Sequence, residues 1–269
     1  MKNFISDFNK IIKLRLTLTV VFSSSVSFLI GSKFQCDIIW INWAILTLGG
    51  FLVTSAANGF NEIIEKDLDK LMTRTMDRPL PSGRMTTGQA LVLSLFMGIA
   101  GTLILVRLNF LTGVLSVFSI FLYAFLYTPM KRKSPIAVFV GAIPGALPPL
   151  IGYFASFASF DVPTITKIPY ILFLIQFVWQ FPHFWAIAWV LDDDYKKAGF
   201  RLLPTTKRDK TSATITLMSA LLLIPVGLMP VFYNFGGYIY GVVSLVGGFY
   251  FSWQAFRLFN DLEVNSAKK

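Results

Sequence analysis

The chain has 269 residues, 55% of them hydrophobic and 14% charged, with a formal net charge of +10. Soluble domains carry about 25% charged residues, so this composition and a mean hydropathy of +0.64 exclude an ordinary soluble domain. The one cysteine (Cys36) and one histidine (His183) exclude an internal disulfide, a cysteine-based metal site and a multi-histidine centre. Any metal must then rest on oxygen ligands, which suits Mg²⁺.

Apolar runs long enough to cross a bilayer as helices occur near 14–31, 38–61, 88–106, 110–128, 136–158, 168–191, 212–233 and 236–257. A crossing needs about 20 such residues. The runs are continuously apolar, not alternating, which points to an all-α polytopic bundle of eight spans instead of a barrel. With the N-terminus in the cytoplasm, every Lys and Arg except Lys33, Arg107 and Lys167 falls on that side. Such a bias sets membrane topology. It also accounts for the positive charge, so no nucleic-acid partner is expected. The N-terminal segment lacks a small-residue cleavage site and seven further spans follow it, so no cleavable signal is expected.

Two connections are long. The first, near 62–87, follows span 2; the second, near 192–211, follows span 6. Each opens with carboxylates and continues with basic residues, which suggests two four-helix halves of similar design around a central cavity. Asn61, Glu65 and Asp69 are spaced i, i+4, i+8, with Asn58 on the same side. If span 2 continues as a helix, they share one face. Like charges at that spacing repel unless a cation lies between them. The stripe is therefore a candidate Mg²⁺ site, completed by substrate phosphates and water. The alternative is a set of solvated charges paired as Glu65–Lys66 and Asp69–Lys70. Arg74, Arg78 and Arg84 follow closely and suit a diphosphate. The second loop repeats the combination in Asp192, Asp193, Asp194, Lys196, Lys197 and Arg201.

The run NEIIEKDLD fits the Asn-x₃-Asp/Glu-x₃-Asp motif and resembles the UbiA-type intramembrane prenyltransferases. Further elements point to the branch of that family that farnesylates haem. They are Arg74, Thr75, Arg78, Pro79 and Leu80; Tyr127, Thr128, Lys131 and Arg132; the stretch Gly141 to Gly152; WQFPHFW from Trp179 to Trp185; and Asp194, Tyr195, Ala198, Gly199, Leu203 and Pro204. Two departures stand out: Glu65 occupies a position that is Asp in many relatives, and the family has nine helices where eight are read here. The chain is therefore expected to be one prenyltransferase domain over 1–269 that lacks the last helix.

The resemblance implies transfer of farnesyl from farnesyl diphosphate to a vinyl group of haem B, giving haem O. Asn61, Glu65, Asp69, Asp193 and Asp194 would hold Mg²⁺ and, with Tyr127, form the catalytic set. Arg74, Arg78, Lys131, Lys197 and Arg201 would neutralise the diphosphate. His183, Trp179 and Trp185 would meet the acceptor, and Phe184 would join the aromatic wall. Implied surroundings are membrane lipid, a downstream haem A synthase and, since no organelle-targeting segment is visible, a bacterial cytoplasmic membrane. Pro144, Pro148 and Pro149 are expected to kink span 5. Gly141, Gly145 and Gly152 are expected to allow close packing or room for a bulky acceptor. Rival readings are a prenyltransferase of an aromatic quinone precursor, a transporter and a non-catalytic assembly factor. A transporter would place charges at span midplanes, where this chain has almost none.

Overall fold

The computed structural model describes residues 2–33, 38–157 and 166–268, and the described residues contain helices and no strand. Cys36 lies outside them. A short helix α1 (Lys2–Ile11) precedes α2 (Leu14–Lys33), α3 (Trp40–Asp69) and α4 (Thr87–Val106). Next comes α5 (Phe110–Met130), which contains a π-helical turn over Phe121–Tyr127. There follow α6 (Ile136–Ala155), α7 (Ile168–Val190), the six-residue α8 (Asp192–Lys197), α9 (Lys210–Phe232), α10 (Tyr238–Asp261) and the four-residue α11 (Val264–Ala267).

Local chemistry fixes several of these starts. Thr86 and Gln89 form a reciprocal capping box before α4. Asn109 and Asp209 accept backbone N–H groups at the starts of α5 and α9. Each cap satisfies donors that helical pairing leaves free.

Seven helices among the described residues are long and apolar enough to span a membrane: α2, α3, α4, α5, α6, α7 and α9. The eighth expected span corresponds to α10, which has the length but falls outside that set. Its last third, QAFRLFND, carries the polar groups that set it apart. Large apolar side chains such as Phe22, Phe96, Phe110 and Ile239 face outward, as a lipid solvent permits. The first helices and the later ones share a broad seam, because α2 packs on α6 as well as on α3. The chain then passes from α6 to α7, α9 and α10 by successive neighbour packing.

That seam is close. A Cβ on Gly152 would stand 2.0 Å from the carbonyl oxygen of Ser24, and Ser27 Oγ donates to the Pro149 carbonyl at 2.5 Å. The glycine supplies backbone approach, not space for an acceptor. α6 runs through Pro144, Pro148 and Pro149 as one helix. Two apolar grooves lie on the outside of the bundle, one against α3 and α4 with Arg107 at its edge, the other along α4 and α5. Both are away from the acidic residues and neither is the expected central cavity.

Candidate active site

Span 2 does continue as a helix. At 30 residues α3 is about 45 Å long, well beyond a hydrocarbon core of about 30 Å, so its last turns carry Asn61 to Asp69 to the end of the bundle. The acidic stripe therefore lies on helix, and the loop begins at Lys70. Asn58, Asn61, Glu62, Glu65 and Asp69 are all buried. This departs from the solvated-pair alternative: Lys70 pairs with Asp67 on the surface instead of with Asp69.

Glu65 and Asp69 each meet a cation from another part of the chain. Lys131 Nζ lies 2.8 Å from Glu65 Oε1 and donates to Oε2 at 3.1 Å. Arg78 donates to Asp69 Oδ2 at 2.7 Å. Asn61 donates to Glu65 Oε2 at 3.0 Å and to Thr128 Oγ1 at 2.9 Å, while its own oxygen accepts from Lys13 Nζ at 2.5 Å. Glu62 accepts the Leu80 N–H at 3.4 Å. Two carboxylate oxygens, Glu62 Oε2 and Asp69 Oδ1, are buried with no hydrogen-bond partner. Such atoms are costly to desolvate and call for a ligand.

The aromatic side of this network comes from the π-helical turn. Tyr127 lies beneath the Lys131 ammonium at 4.7 Å and Tyr123 near that of Lys13 at 6.0 Å. The two rings are 5.5 Å apart. A Cβ on Gly141 would stand 2.7 Å from the Tyr127 ring, so that glycine seats the tyrosine. Burial, reinforced by Arg78 and Lys131, pushes the Lys13 ammonium down to about 7. Burial alone would lower Lys131 as well, but Glu65 and its neighbours outweigh this and hold it above the ordinary lysine value.

The second acidic run behaves differently. Asp194 accepts the backbone N–H groups of Thr73 (2.9 Å) and Arg74 (3.1 Å) and pairs with Lys197 at 3.0 Å. Lys197 also reaches Thr73 Oγ1 at 3.0 Å. Asp194 thus clasps the two connections together at one end of the bundle. Partial burial pushes its carboxyl up, but the two N–H donors and Lys197 prevail and hold it at about 2. Asp193 is exposed and pairs with Arg208 at 3.0 Å. Arg74 and Arg201 are exposed, and Arg201 touches the site through its N–H to the Lys131 carbonyl at 2.8 Å.

The structure therefore brings together Asn61, Glu65, Asp69, Arg78, Tyr127 and Lys131. It places Asp194, Lys197 and the Arg74 backbone in a neighbouring clasp. Among the acceptor candidates, Trp179 stacks on His183 at 4.5 Å, one helical turn apart. Trp185 is turned to a different neighbour, Phe181, at 5.4 Å. Lys13 and Glu62 were not singled out from the sequence. Lys13 read as one of the charges that set topology, and Glu62 stands off the four-residue spacing of the stripe.

Among the described residues, no group of three or more His, Cys, Asp or Glu side chains stands close enough to hold a metal. The donors still fit Mg²⁺. They are hard oxygens, one being the partnerless Asp69 Oδ1, and this ion commonly uses one or two carboxylates with phosphate oxygens and water.

The chain is similar over nearly its whole length to known proteins. The profile of the UbiA prenyltransferase family matches residues 20–268. A curated protein of Cytophaga hutchinsonii named protoheme IX farnesyltransferase is 45% identical over 96% of this chain and 88% of its own length. One of the same name from Christiangramia forsetii is 42% identical over 99% and 88%. A solved structure described as concerning digeranylgeranylglyceryl phosphate synthase superposes with a TM-score of 0.79 at 19% identity, covering 100% of this chain and 91% of the other. A UbiA homologue from Archaeoglobus fulgidus, solved with DMAPP and Mg²⁺, gives 0.71 at 13% identity over 96% and 90%.

Proposed function

The chain belongs to the UbiA prenyltransferase family and is a prenyltransferase, and from that premise we propose that it moves a farnesyl group from farnesyl diphosphate to a vinyl group of haem B, forming haem O. The observation that carries the chemistry is the buried row Asn61, Glu65 and Asp69, with Lys131 and Arg78 on its carboxylates and one oxygen of Asp69 left without a partner. The haem acceptor rests on the name shared by relatives 42–45% identical over nearly the whole chain.

On this reading Asn61, Glu65 and Asp69 would hold Mg²⁺ from the end of α3, and Asp193 and Asp194 would supply ligands from the connection after α7. When bound, the ion withdraws charge from the diphosphate as the allylic C–O bond breaks. Arg78 and Lys131 bind the diphosphate oxygens from fixed positions, which stabilises charge as it develops without reorganisation. Arg74, Lys197 and Arg201 close over the same group from the outer side. Tyr127, seated on Gly141, offers its ring face to the allylic cation; such contacts contribute about 0.5–2 kcal/mol each. His183, stacked on Trp179, and Trp185 orient the acceptor. The buried surroundings keep water from the allylic cation until it has added to the vinyl group; one water then adds to the cation left on the acceptor and loses a proton, which gives the hydroxyl of haem O. The setting is a bacterial inner membrane, with both acidic connections cytoplasmic and a haem A synthase downstream.

The test is an assay of purified protein with haem B, farnesyl diphosphate and Mg²⁺, read by mass spectrometry. The expected product is heavier than haem B by a farnesyl group plus water, and chelation of Mg²⁺ abolishes it. Prenylation of a 4-hydroxybenzoate-type acceptor with none of haem would overturn the proposal.

A further inference from the structure

Resting on that reading of the site, we propose that Lys13 is a further diphosphate-binding residue, a third inward-facing cation delivered to the acidic stripe by the N-terminal segment. Several independent observations place it there. The backbone of Lys13 adopts φ +50°, a left-handed conformation that lysine rarely takes. That turn breaks the chain between α1 and α2 and directs the side chain inward onto Asn61 Oδ1 at 2.5 Å. The surrounding structure enforces it: Ile11 and Ile12 are fully buried, and the Ile12 carbonyl accepts from Asn58 Nδ2 at 3.1 Å and from Thr17 Oγ1 at 2.6 Å.

α1 is itself fastened to the loop that carries Arg78. Lys10 pairs with Asp77 at 2.8 Å, and Arg84 pairs with Asp7 at 2.9 Å and with Asp77 at 3.0 Å. The strained turn is thus held from both sides, and what it secures is one inward ammonium. A solvent-facing topology charge needs no such arrangement.

The chemistry follows from the partner. Asn61 Oδ1 is one of the oxygens assigned to Mg²⁺, and the Lys13 ammonium lies one hydrogen bond from it. An ammonium and a divalent cation cannot share that oxygen without an anion between them, because the like charges repel in a buried site. A diphosphate oxygen would resolve the conflict by accepting the ammonium and leaving Asn61 Oδ1 to the metal. Glu62 and Glu65 keep the cation in place until then. Lys13 thus joins Lys131 and Arg78 in approaching the leaving group from a third segment of the chain.

Binding of inorganic pyrophosphate with Mg²⁺ to the detergent-solubilised chain, measured by calorimetry, tests this without turnover. Loss of one charge-assisted contact predicts affinity weakened about tenfold or more in Lys13→Met, with Lys13→Arg within about threefold of wild type. KM for farnesyl diphosphate should rise in Lys13→Met while KM for haem stays unchanged, a split that a purely structural lysine would not produce. Where the variants do not fold, amine acylation of the wild type, mapped by mass spectrometry, replaces them; pyrophosphate should shield Lys13. Wild-type affinity in Lys13→Met, or unaltered acylation, overturns the inference and leaves the proposed function standing. Absence of any pyrophosphate binding by the wild type overturns both.

Discussion

Two acidic segments of this chain look alike as strings of letters and differ as physical objects. NEIIEKDLD sits on the protruding end of a 30-residue helix, and its fourth-residue spacing stacks Asn61, Glu65 and Asp69 into one buried row. DDDYKK forms a six-residue helix whose consecutive acids point about 100° apart, so each finds a different partner. Asp192 is buried beside Lys196, Asp193 is exposed on Arg208, and Asp194 turns to the backbone of the other loop. Spacing, more than charge count, decides whether acids share one buried face or turn to separate partners.

Substitutions that remove one carboxylate from each segment separate these roles. Asp69→Asn is expected to give the largest effect, a loss of about a thousandfold or more in kcat with the fold retained, in the range for removing a buried electrostatic contact to a developing anion. Circular dichroism and turnover measured together would check it, and near-normal kcat would remove Asp69 from the metal set. Asp194→Asn is expected to cost less, about tenfold to a hundredfold. It should also speed amide exchange at Thr73 and Arg74. An equal loss in both variants without faster exchange would mean that Asp194 acts only as a ligand and not as a clasp.

The smallest effect concerns acid. The docked carboxyl of Asp194 is held at about 2, below its ordinary 3.8. The docked form therefore binds fewer protons than the free form. Its contribution is complete above about 3.8 and fades as pH falls through about 2. Protection of the Thr73 and Arg74 amides should hold from neutral pH to about 4 and decline below, and Asp194→Asn should show no such decline.

Much of this was legible beforehand, because it depends on periodicity. The apolar runs gave the long helices, and the i, i+4, i+8 spacing gave the buried row. What stayed hidden depends on backbone events that side-chain patterns do not encode. The left-handed turn at Lys13 converts a topology charge into an inward-facing one. The π-helical turn at 121–127 sets where Tyr123, Tyr127 and Thr128 stand around Asn61. The clasp made by Asp194 also stayed hidden, since nothing in DDDYKK reports that two of its donors lie 120 and 121 residues away on a backbone. The glycines of α6 read equally as room or as contact; the Ser24 carbonyl and the Tyr127 ring fill two of those positions.

The seam between α2 and α6 carries a mechanical consequence. With no clearance for a methyl group at Gly152 and with Ser27 fastened to Pro149, the two helices form a single rigid spine. On the proposed function, a flat tetrapyrrole the width of several side chains cannot enter by prising them apart. Whatever opening admits it has to be made by helices that can still slide, while the spine keeps the base of Lys13 and the tyrosine seat at constant separation through each catalytic cycle.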